Sequence, residues 1–368
     1  MRDFPVSLLA SPGTQVPLCL MAARHLRYTI ALIMALTAML SPHFLMAENL
    51  RIGIVGLDSS HSEQFTLRLN DPANPSHIPG ARVVAAYAGG SPDLPESANR
   101  VAGFTATLKD KYGVQILGSI TEVCAAVDAV MILSVDGRPH LAQVREVLLS
   151  GKPFFLDKPV AASLKDIVEI YKAAEAAKVP FFSASAMRWY PGVIEVATAE
   201  TTPALAAISY GPAPILPFHP DLYFYGIHPA EALFTVMGSG CLEVRRTASA
   251  ASSVVTGRWE GDRLGTLHAI HALPMGSPNY KLTRFGQKGV VEQKNQGDYT
   301  PLLREIIKFF QSRQPPVTRA QTLEIYAFLE AAEQSKSQNG KPISLRDVLR
   351  KAGAPEEWLP EAPPAPKS

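Results

Sequence analysis

The sequence is poor in several features that mark particular classes of protein. Its 368 residues include three cysteines, Cys19, Cys124 and Cys241, which lack the spacing of metal ligands or of a disulfide framework. The 35 basic residues nearly balance the 33 acidic ones, and no basic stripe or block of like charge is present. This composition argues strongly against electrostatic binding of nucleic acid. It favours a small-molecule partner, and no metal site is indicated.

Long apolar runs are also missing, since the longest, residues 30–40, has 11 residues and a membrane-spanning helix needs about 20. Arg24 and Arg27 precede this run and Ala47 follows it, in the order typical of a secretory signal peptide. We therefore predict that residues 1–47 are a Sec-type signal peptide or a misassigned start, and that the mature protein is periplasmic or secreted. A cytoplasmic protein is the alternative if the segment is not cleaved.

From residue 50 onward, short apolar runs alternate with helical stretches. Residues 50–56, 81–88 and 128–135 have strand character, and a further strand is predicted at residues 180–183. This rhythm is typical of βαβ units in a parallel sheet. After Tyr190 the pattern changes to the β-type alternation of an antiparallel or mixed sheet, at residues 206–210, 253–259, 263–273 and 281–292. Two helices close the chain.

The predicted fold class is α/β, with an N-terminal Rossmann-type, doubly wound parallel sheet and a C-terminal α+β domain built on an open, mainly antiparallel sheet. The predicted boundaries follow from these changes of pattern. They place the signal peptide in residues 1–47, a nucleotide-binding domain in residues 48–167, a substrate and oligomerisation domain in residues 168–345 and a proline-rich tail in residues 346–368.

The turn after the first strand departs from the glycine pattern that binds a dinucleotide. Gly56 fits the first glycine position, but Asp58 and His61 occupy the second and third. Ser60 and Glu63 have the spacing of a capping box, so the helix N-terminus is expected to be well formed and able to bind an anion. For Asp58, a capping role and a ligand contact are equally favoured.

Two segments carry residues suited to catalysis. Asp157-Lys158-Pro159 follows a strand at the edge where open α/β sheets bind ligands, and a buried lysine there can act as an acid or base. The spacing alone favours the other interpretation, a solvated Lys158 paired with Asp157. His228 and Glu231 lie three residues apart at a helix start, so the carboxylate could orient the imidazole.

Taken together, these segments resemble the family of glucose-fructose oxidoreductase, inositol dehydrogenase and MocA. The resemblance rests on the first βαβ unit, the stretch DKPVA, the segment with Gly226 and His228, and the closing EAAEQSKSQNGKPISL. It implies an NAD or NADP cofactor on the first domain and a sugar or cyclitol-like substrate against the second. It also implies a homodimer or homotetramer joined through the open sheet.

The resemblance also implies roles for individual residues. Lys158 is expected to donate to the reacting oxygen, and His228 to act as general acid or base with Glu231 beside it. The cofactor is expected to contact the first turn, the loop after the fourth strand and the catalytic lysine. These cofactor residues are Gly56, Asp58, Ser59, Ser60, His61, Ser134, Asp136, His140 and Lys158.

The chain departs from the family's pattern in its glycine fingerprint, in Phe224 where the family often has an aspartate, and in Glu231 where an aspartate is usual. We expect an exported NAD(P)-dependent oxidoreductase. Because an exported enzyme would work outside the soluble nicotinamide pool, we also expect a tightly held cofactor and a reaction that is redox-neutral overall. The alternative is a carbohydrate-binding or sensory protein that has kept the fold and lost the dinucleotide site.

Overall fold

The computed structural model describes residues 49–276 and 278–360, so the predicted signal peptide lies outside the described residues. The first sheet has six parallel strands in the order β3-β2-β1-β4-β5-β6, which confirms the predicted Rossmann-type sheet. The order reverses between β1 and β4, and open α/β sheets bind their ligands beside such a reversal. The strands are β1 Leu50–Val55, β2 Ala81–Tyr87, β3 Gln115–Ile116, β4 Ala129–Ile132, β5 Phe154–Leu156 and β6 Phe181–Phe182.

Helices cover both faces of this sheet. Every residue of β4 and β5 is buried, as expected for parallel strands covered on both sides. Ser119 and Ser163 cap two of the helices through their hydroxyl groups, which accept hydrogen bonds from backbone amides in the first turn. The helices are α1 Ser60–Asn70, α2 Pro95–Ala98, α3 Val101–Ala106, α4 Ile120–Ala126, α5 His140–Leu148 and α6 Leu164–Ala177, with a π-helical turn at Thr107–Lys111.

The second sheet has seven strands in the order β12-β11-β7-β10-β9-β8-β13. All neighbouring pairs are antiparallel except β7 with β10, so the sheet is mainly antiparallel, as predicted. The strands are β7 Ala206–Pro212, β8 Cys241–Ala248, β9 Ser252–Trp259, β10 Arg263–Ile270, β11 Lys281–Gly286, β12 Gly289–Glu292 and β13 Ile343–Ser344.

One face of the second sheet is packed and the other is open. Along β7, Ala207 and Ser209 are buried, whereas the side chains between and after them, Ile208 and Tyr210, are each 39% exposed. The helices of this part of the chain are α7 Pro191–Ala197, α8 Ile227–Met237, α9 Thr300–Ser312, α10 Arg319–Ser337 and α11 Leu345–Lys351. Residues 346–351, which the sequence analysis places in the tail, thus lie in α11.

Helix α9 returns to the first sheet and packs against its last strand. The rings of Phe182 in β6 and Phe309 in α9 meet edge to face with their centroids 5.1 Å apart. Leu302 and Ile306 join the same buried cluster as β1, β2 and β4. The two sheets therefore share one folded unit, and none of the helices within residues 49–276 and 278–360 is long and apolar enough to cross a membrane.

Candidate active site

A cavity of about 290 Å³ lies at the carboxyl ends of the first sheet's strands, where residues of the second domain close it. This volume is at the lower end of the range for small-molecule sites. The first domain lines it with Ser59, Ser60, His61, Glu96, Arg100, Val135, Asp157 and Lys158. The remaining part of the lining includes Ser185, Tyr190, Phe224, Tyr225, His228, Tyr280, Asp298 and Tyr299.

The turn after β1 needs its glycine but does not direct Asp58 into the cavity. Gly56 has a φ of +92°, and a Cβ there would lie 2.4 Å from the Ser134 hydroxyl oxygen. The Asp58 carboxylate is fully buried and accepts hydrogen bonds from Ser97 Oγ (2.7 Å) and from the Val135 amide (3.0 Å). Burial raises its pKa, which these bonds oppose. Asp58 therefore joins the first turn to α2 and to the loop after β4. It neither caps α1 nor lines the cavity.

The start of α1 differs from the predicted capping box. The helix begins at Ser60, so Ser59 is the N-cap residue, and no side chain caps this helix end. Ser60 is exposed, whereas Ser59 is buried and its hydroxyl oxygen has no hydrogen-bond partner in the described part of the chain. Ser59, Ser60 and His61 line the cavity, so an end of a helix that favours anions lies at its edge.

His61 forms a close buried pair with Asp157, the residue that precedes Lys158. The distance from His61 Nδ1 to Asp157 Oδ2 is 2.5 Å, and both side chains are almost fully buried. The imidazole stacks on Phe65 and meets the edge of Tyr299, with ring centroids 5.0 and 4.6 Å away. This pair joins the N-terminus of α1 to the end of β5.

Lys158 is buried, and its ammonium group has no hydrogen bond or ion pair among the described residues. Its Nζ lies 4.9 Å from the ring centre of Tyr225 and 5.5 Å from that of Phe224. Burial lowers the pKa of Lys158, the nearby charge of Arg100 lowers it further, and Asp157 opposes the change. The alternative of a solvated lysine paired with Asp157 is therefore wrong, because the Asp157 side chain binds His61 and the backbone amide of Lys158.

His228 reaches the cavity from the first turn of α8. Its Nδ1 lies 2.7 Å from Ser185 Oγ, and its ring meets the edge of Tyr225. Burial holds the pKa of His228 well below its ordinary value, and the charges of Lys158 and His61 lower it further. The imidazole is thus neutral near pH 7 and able to accept a proton.

Glu231 does not orient His228, contrary to the hypothesis drawn from their spacing. Its Oε2 accepts a hydrogen bond from Arg188 Nε at 2.7 Å, and its Oε1 accepts one from the Ser185 amide at 3.4 Å. The side chains of Arg188 and Glu231 are 12% and 4% exposed. Since the carboxylate is occupied by this buried pair, Glu231 affects His228 only through the position of Ser185.

Ser134, Asp136 and His140, which follow β4, were predicted to contact the cofactor. None of them is among the described residues that line the cavity. Ser134 Oγ bonds to the Gln143 side chain, and His140 is fully buried with its ring nitrogens against the carbonyl oxygens of Ser134 and Pro159. Burial favours a high pKa for Asp136, but bonds from His219 and from Arg138 outweigh it and hold the pKa below its usual range. These side chains brace the loop.

Several residues that line the cavity were not predicted from the sequence. Arg100, Ser185, Tyr280 and Tyr299 line it, yet each belongs to a different segment. Nothing in the local sequence around Tyr299 indicates that it approaches His61, about 240 residues earlier, because only the return of α9 brings it there. Within residues 49–276 and 278–360, no group of three side chains is arranged to hold a metal ion.

The parallel sheet, the helix N-terminus at its carboxyl edge and the second mixed sheet define a Rossmann-type α/β protein with a second domain. Residues 50–185 match the model of the family described as "Oxidoreductase family, NAD-binding Rossmann fold". This part of the chain therefore resembles the NAD-binding Rossmann domain of the Gfo/Idh/MocA oxidoreductases.

Relatives and solved structures agree with this assignment. An inositol 2-dehydrogenase of Cereibacter sphaeroides is 33% identical over 130 residues, which cover 34% of this chain and 33% of that protein. The chain therefore aligns with about one third of that relative's length. A probable dehydrogenase from Thermotoga maritima has a TM-score of 0.67 at 19% identity, covering 81% of this chain and all of that one.

A scyllo-inositol dehydrogenase from Lactobacillus casei, solved with bound NAD(H) and scyllo-inositol, has a TM-score of 0.64 at 15% identity. The alignment covers 81% of this chain and 99% of that one. At these identities the solved structures establish the fold of both domains, and the family model establishes the type of the first.

Proposed function

We propose that this protein oxidises a hydroxyl group of a cyclitol or sugar with a nicotinamide cofactor. The observation that carries the proposal is the meeting of an unpaired Lys158 ammonium group with a neutral His228 imidazole in one cavity, at the carboxyl edge of an NAD-binding domain. Residues with strongly shifted pKa values in a cleft are typical of active sites.

The residues at the start of α1 fit the anionic part of such a cofactor. The Ser59 hydroxyl has no hydrogen-bond partner in the described part of the chain, and it lies at a helix N-terminus, a position that favours a phosphate. Ser59 and Ser60 would therefore hold the pyrophosphate, and Lys158 would lie beside the nicotinamide end. A nicotinamide bound there would accept the hydride that the substrate carbon loses.

The side chains of the cavity supply the rest of the chemistry. Lys158 Nζ, which has no competing partner, would donate a hydrogen bond to the reacting hydroxyl oxygen and stabilise its developing negative charge. His228, neutral and held by Ser185, would accept the hydroxyl proton. The aromatic rings of Phe224 and Tyr225 lie beside Lys158 Nζ. They occupy that side of the ammonium group, where a carboxylate would otherwise compete with the substrate.

The aromatic lining favours a polyhydroxylated ring as substrate. Tyr190, Tyr225, Tyr280 and Tyr299 all line the cavity, and such rings combine an apolar face with a hydroxyl group. The inositol 2-dehydrogenase relative and the scyllo-inositol complex make a cyclitol the first substrate to test.

We further propose that the mature protein acts outside the cytoplasm and forms a homodimer or homotetramer. The order of residues in 1–47 supports export, which in turn favours a tightly bound cofactor and a reaction that is redox-neutral overall. The open face of the second sheet supports oligomerisation, because Ile208, Tyr210, Val254 and Leu264 are 38–48% exposed there.

One observation favours the second candidate, a carbohydrate-binding protein without redox activity. Asp58, joined to Ser97, fills the part of the turn where a second glycine would let a pyrophosphate come close. Calorimetric titration with NAD, NADH, NADP and NADPH distinguishes the two functions. Binding of none of them, together with binding of myo-inositol or scyllo-inositol, would support the second candidate.

The test of the main proposal is turnover. Purified protein, supplied with NAD or NADP and a panel of cyclitols and sugars, should reduce the nicotinamide with at least one of them, as followed by absorbance. The variants Lys158→Met and His228→Asn should lower kcat/KM by about 100-fold or more. Lys165→Met, at an exposed position in α6, is the matched control. Full activity of Lys158→Met would refute the proposed role.

A further inference from the structure

We propose that His61 and Asp157 form the carboxylate–imidazole pair of this site, and that His61 Nε2 is a proton-transfer group for the bound substrate. The inference rests on the proposed function and extends it. It assigns to His61 a role in catalysis in place of the contact with the cofactor that its position in the first turn predicts.

The geometry fixes which nitrogen faces which partner. Nδ1 is 2.5 Å from Asp157 Oδ2, while Asp157 Oδ1 accepts a bond from the Lys158 amide at 2.8 Å, so the carboxylate cannot turn away. Phe65 and Tyr299 hold the ring from its face and its edge. In the described part of the chain Nε2 has no hydrogen-bond partner, and His61 lines the cavity. The imidazole is thus oriented by a carboxylate on one side and open to a ligand on the other, as in hydrolytic triads.

The electrostatic surroundings of the pair formed by His61 and Asp157 differ from those of His228. Burial would raise the pKa of Asp157, but the charge of His61 and their hydrogen bond outweigh it and keep the pKa below its ordinary value. Asp157 is therefore an ionised acceptor that lies against His61 Nδ1. Nδ1 of His228 faces the Ser185 hydroxyl group instead, and burial and Lys158 both disfavour the protonated form of His228.

Of these two histidines, His61 is the one whose ring has a carboxylate within hydrogen-bond distance among the described residues. When the substrate carbon loses a hydride and its hydroxyl group loses a proton, that proton passes to His61 Nε2, directly or through His228, while Asp157 holds Nδ1. It passes to solvent after the product leaves, so that the step ends with a ketone, a reduced nicotinamide and one released proton. Asp157 acts as a positioning residue, since its side-chain hydrogen bonds to the described residues go to His61 and to the backbone amide of Lys158.

Kinetics of the full chain test this assignment on whichever polyol the wild-type protein oxidises. His61→Ala and Asp157→Asn should lower kcat by about 100-fold or more with little change in the Kd of NAD measured by calorimetry. Added imidazole should restore part of the activity of His61→Ala, a result that a structural role would not produce. His77→Ala, outside the cavity lining, is the control. Loss of NAD binding with no imidazole rescue would overturn the inference and make His61 a cofactor contact.

A chemical test requires no substrate. Diethyl pyrocarbonate should modify His61 through its open Nε2, as read by peptide mass spectrometry, whereas the fully buried His140, with both nitrogens hydrogen-bonded, should remain unmodified. If His61 is unreactive, its Nε2 is not open to the cavity and the inference fails. If the wild-type protein oxidises no polyol but His61 reacts, the proposed function fails while the accessibility of the pair stands.

Discussion

The variant Glu231→Gln distinguishes a catalytic carboxylate from a structural one. The sequence places Glu231 beside His228, but in the structure its carboxylate pairs with Arg188 at 2.7 Å, with both side chains largely buried. Removing the charge leaves a buried guanidinium without its counter-ion, which typically costs 3–5 kcal/mol. We expect about 3 kcal/mol, because the amide oxygen can still accept the hydrogen bond. For a chain of this size that corresponds to a fall in Tm of roughly 4–5 °C, at about 2.1 cal/mol/K of unfolding entropy per residue.

The assay combines thermal unfolding with kinetics at a temperature where the variant is fully folded. Glu231→Gln should keep most of its kcat per folded molecule, and the double variant Arg188→Met/Glu231→Leu should regain much of the lost stability. The exposed pair of Glu175 and Arg319 supplies the control, since Glu175→Gln should cost less than about 1 kcal/mol. Wild-type Tm with a large loss of kcat would refute this reasoning and restore a direct catalytic role for Glu231.

Three further predictions follow from particular contacts. Gly56→Ala should destabilise the protein by about 2 kcal/mol or more in chemical denaturation, because its φ is +92° and the new Cβ would meet Ser134; an unchanged midpoint would contradict this. In the folded protein the pKa of His228 lies below its ordinary value. As the pH falls, His228 therefore binds its proton at a higher pH in the unfolded chain than in the folded one. Stability due to neutral His228 should therefore be complete above about pH 6.5 and be lost below it, and His228→Asn should flatten this dependence in unfolding measurements. If the open sheet forms an oligomer, Val254→Asp should yield monomers in light scattering, whereas an unchanged mass would exclude that face.

The pattern of hydrophobic residues was sufficient to predict the architecture. Strands covered on both faces are apolar throughout, and β4 confirms this at residues 129–132. The alternation at residues 206–210 and 253–259 predicted the second sheet for the same physical reason, because one face is packed and the other open. Strand β8 was missed, since its charged residues Glu243, Arg245 and Arg246 interrupt the apolar pattern.

The site could be predicted only in part. Lys158 and His228 were found because each lies in a short motif at a strand end or helix start, where local sequence determines position. The hydrogen-bond partners of the site residues could not be identified from the local sequence. The spacing of three residues suggested that Glu231 serves His228, yet the imidazole that has a carboxylate is His61, whose partner Asp157 is 96 residues away. Such a pair depends on how β5 meets the start of α1, and local spacing carries no information on that contact.

The cavity draws its walls from two parts of the chain, and the family model matches one of them. The match covers residues 50–185, and beyond it lie Tyr225, His228, Tyr280 and Tyr299, which form the opposite wall. The match therefore informs on the side of the cavity that holds the N-terminus of α1 and Lys158. The side chains that would select among polyols lie outside it, so exchanging residues of the second wall is the direct way to change the compound that the cavity accepts.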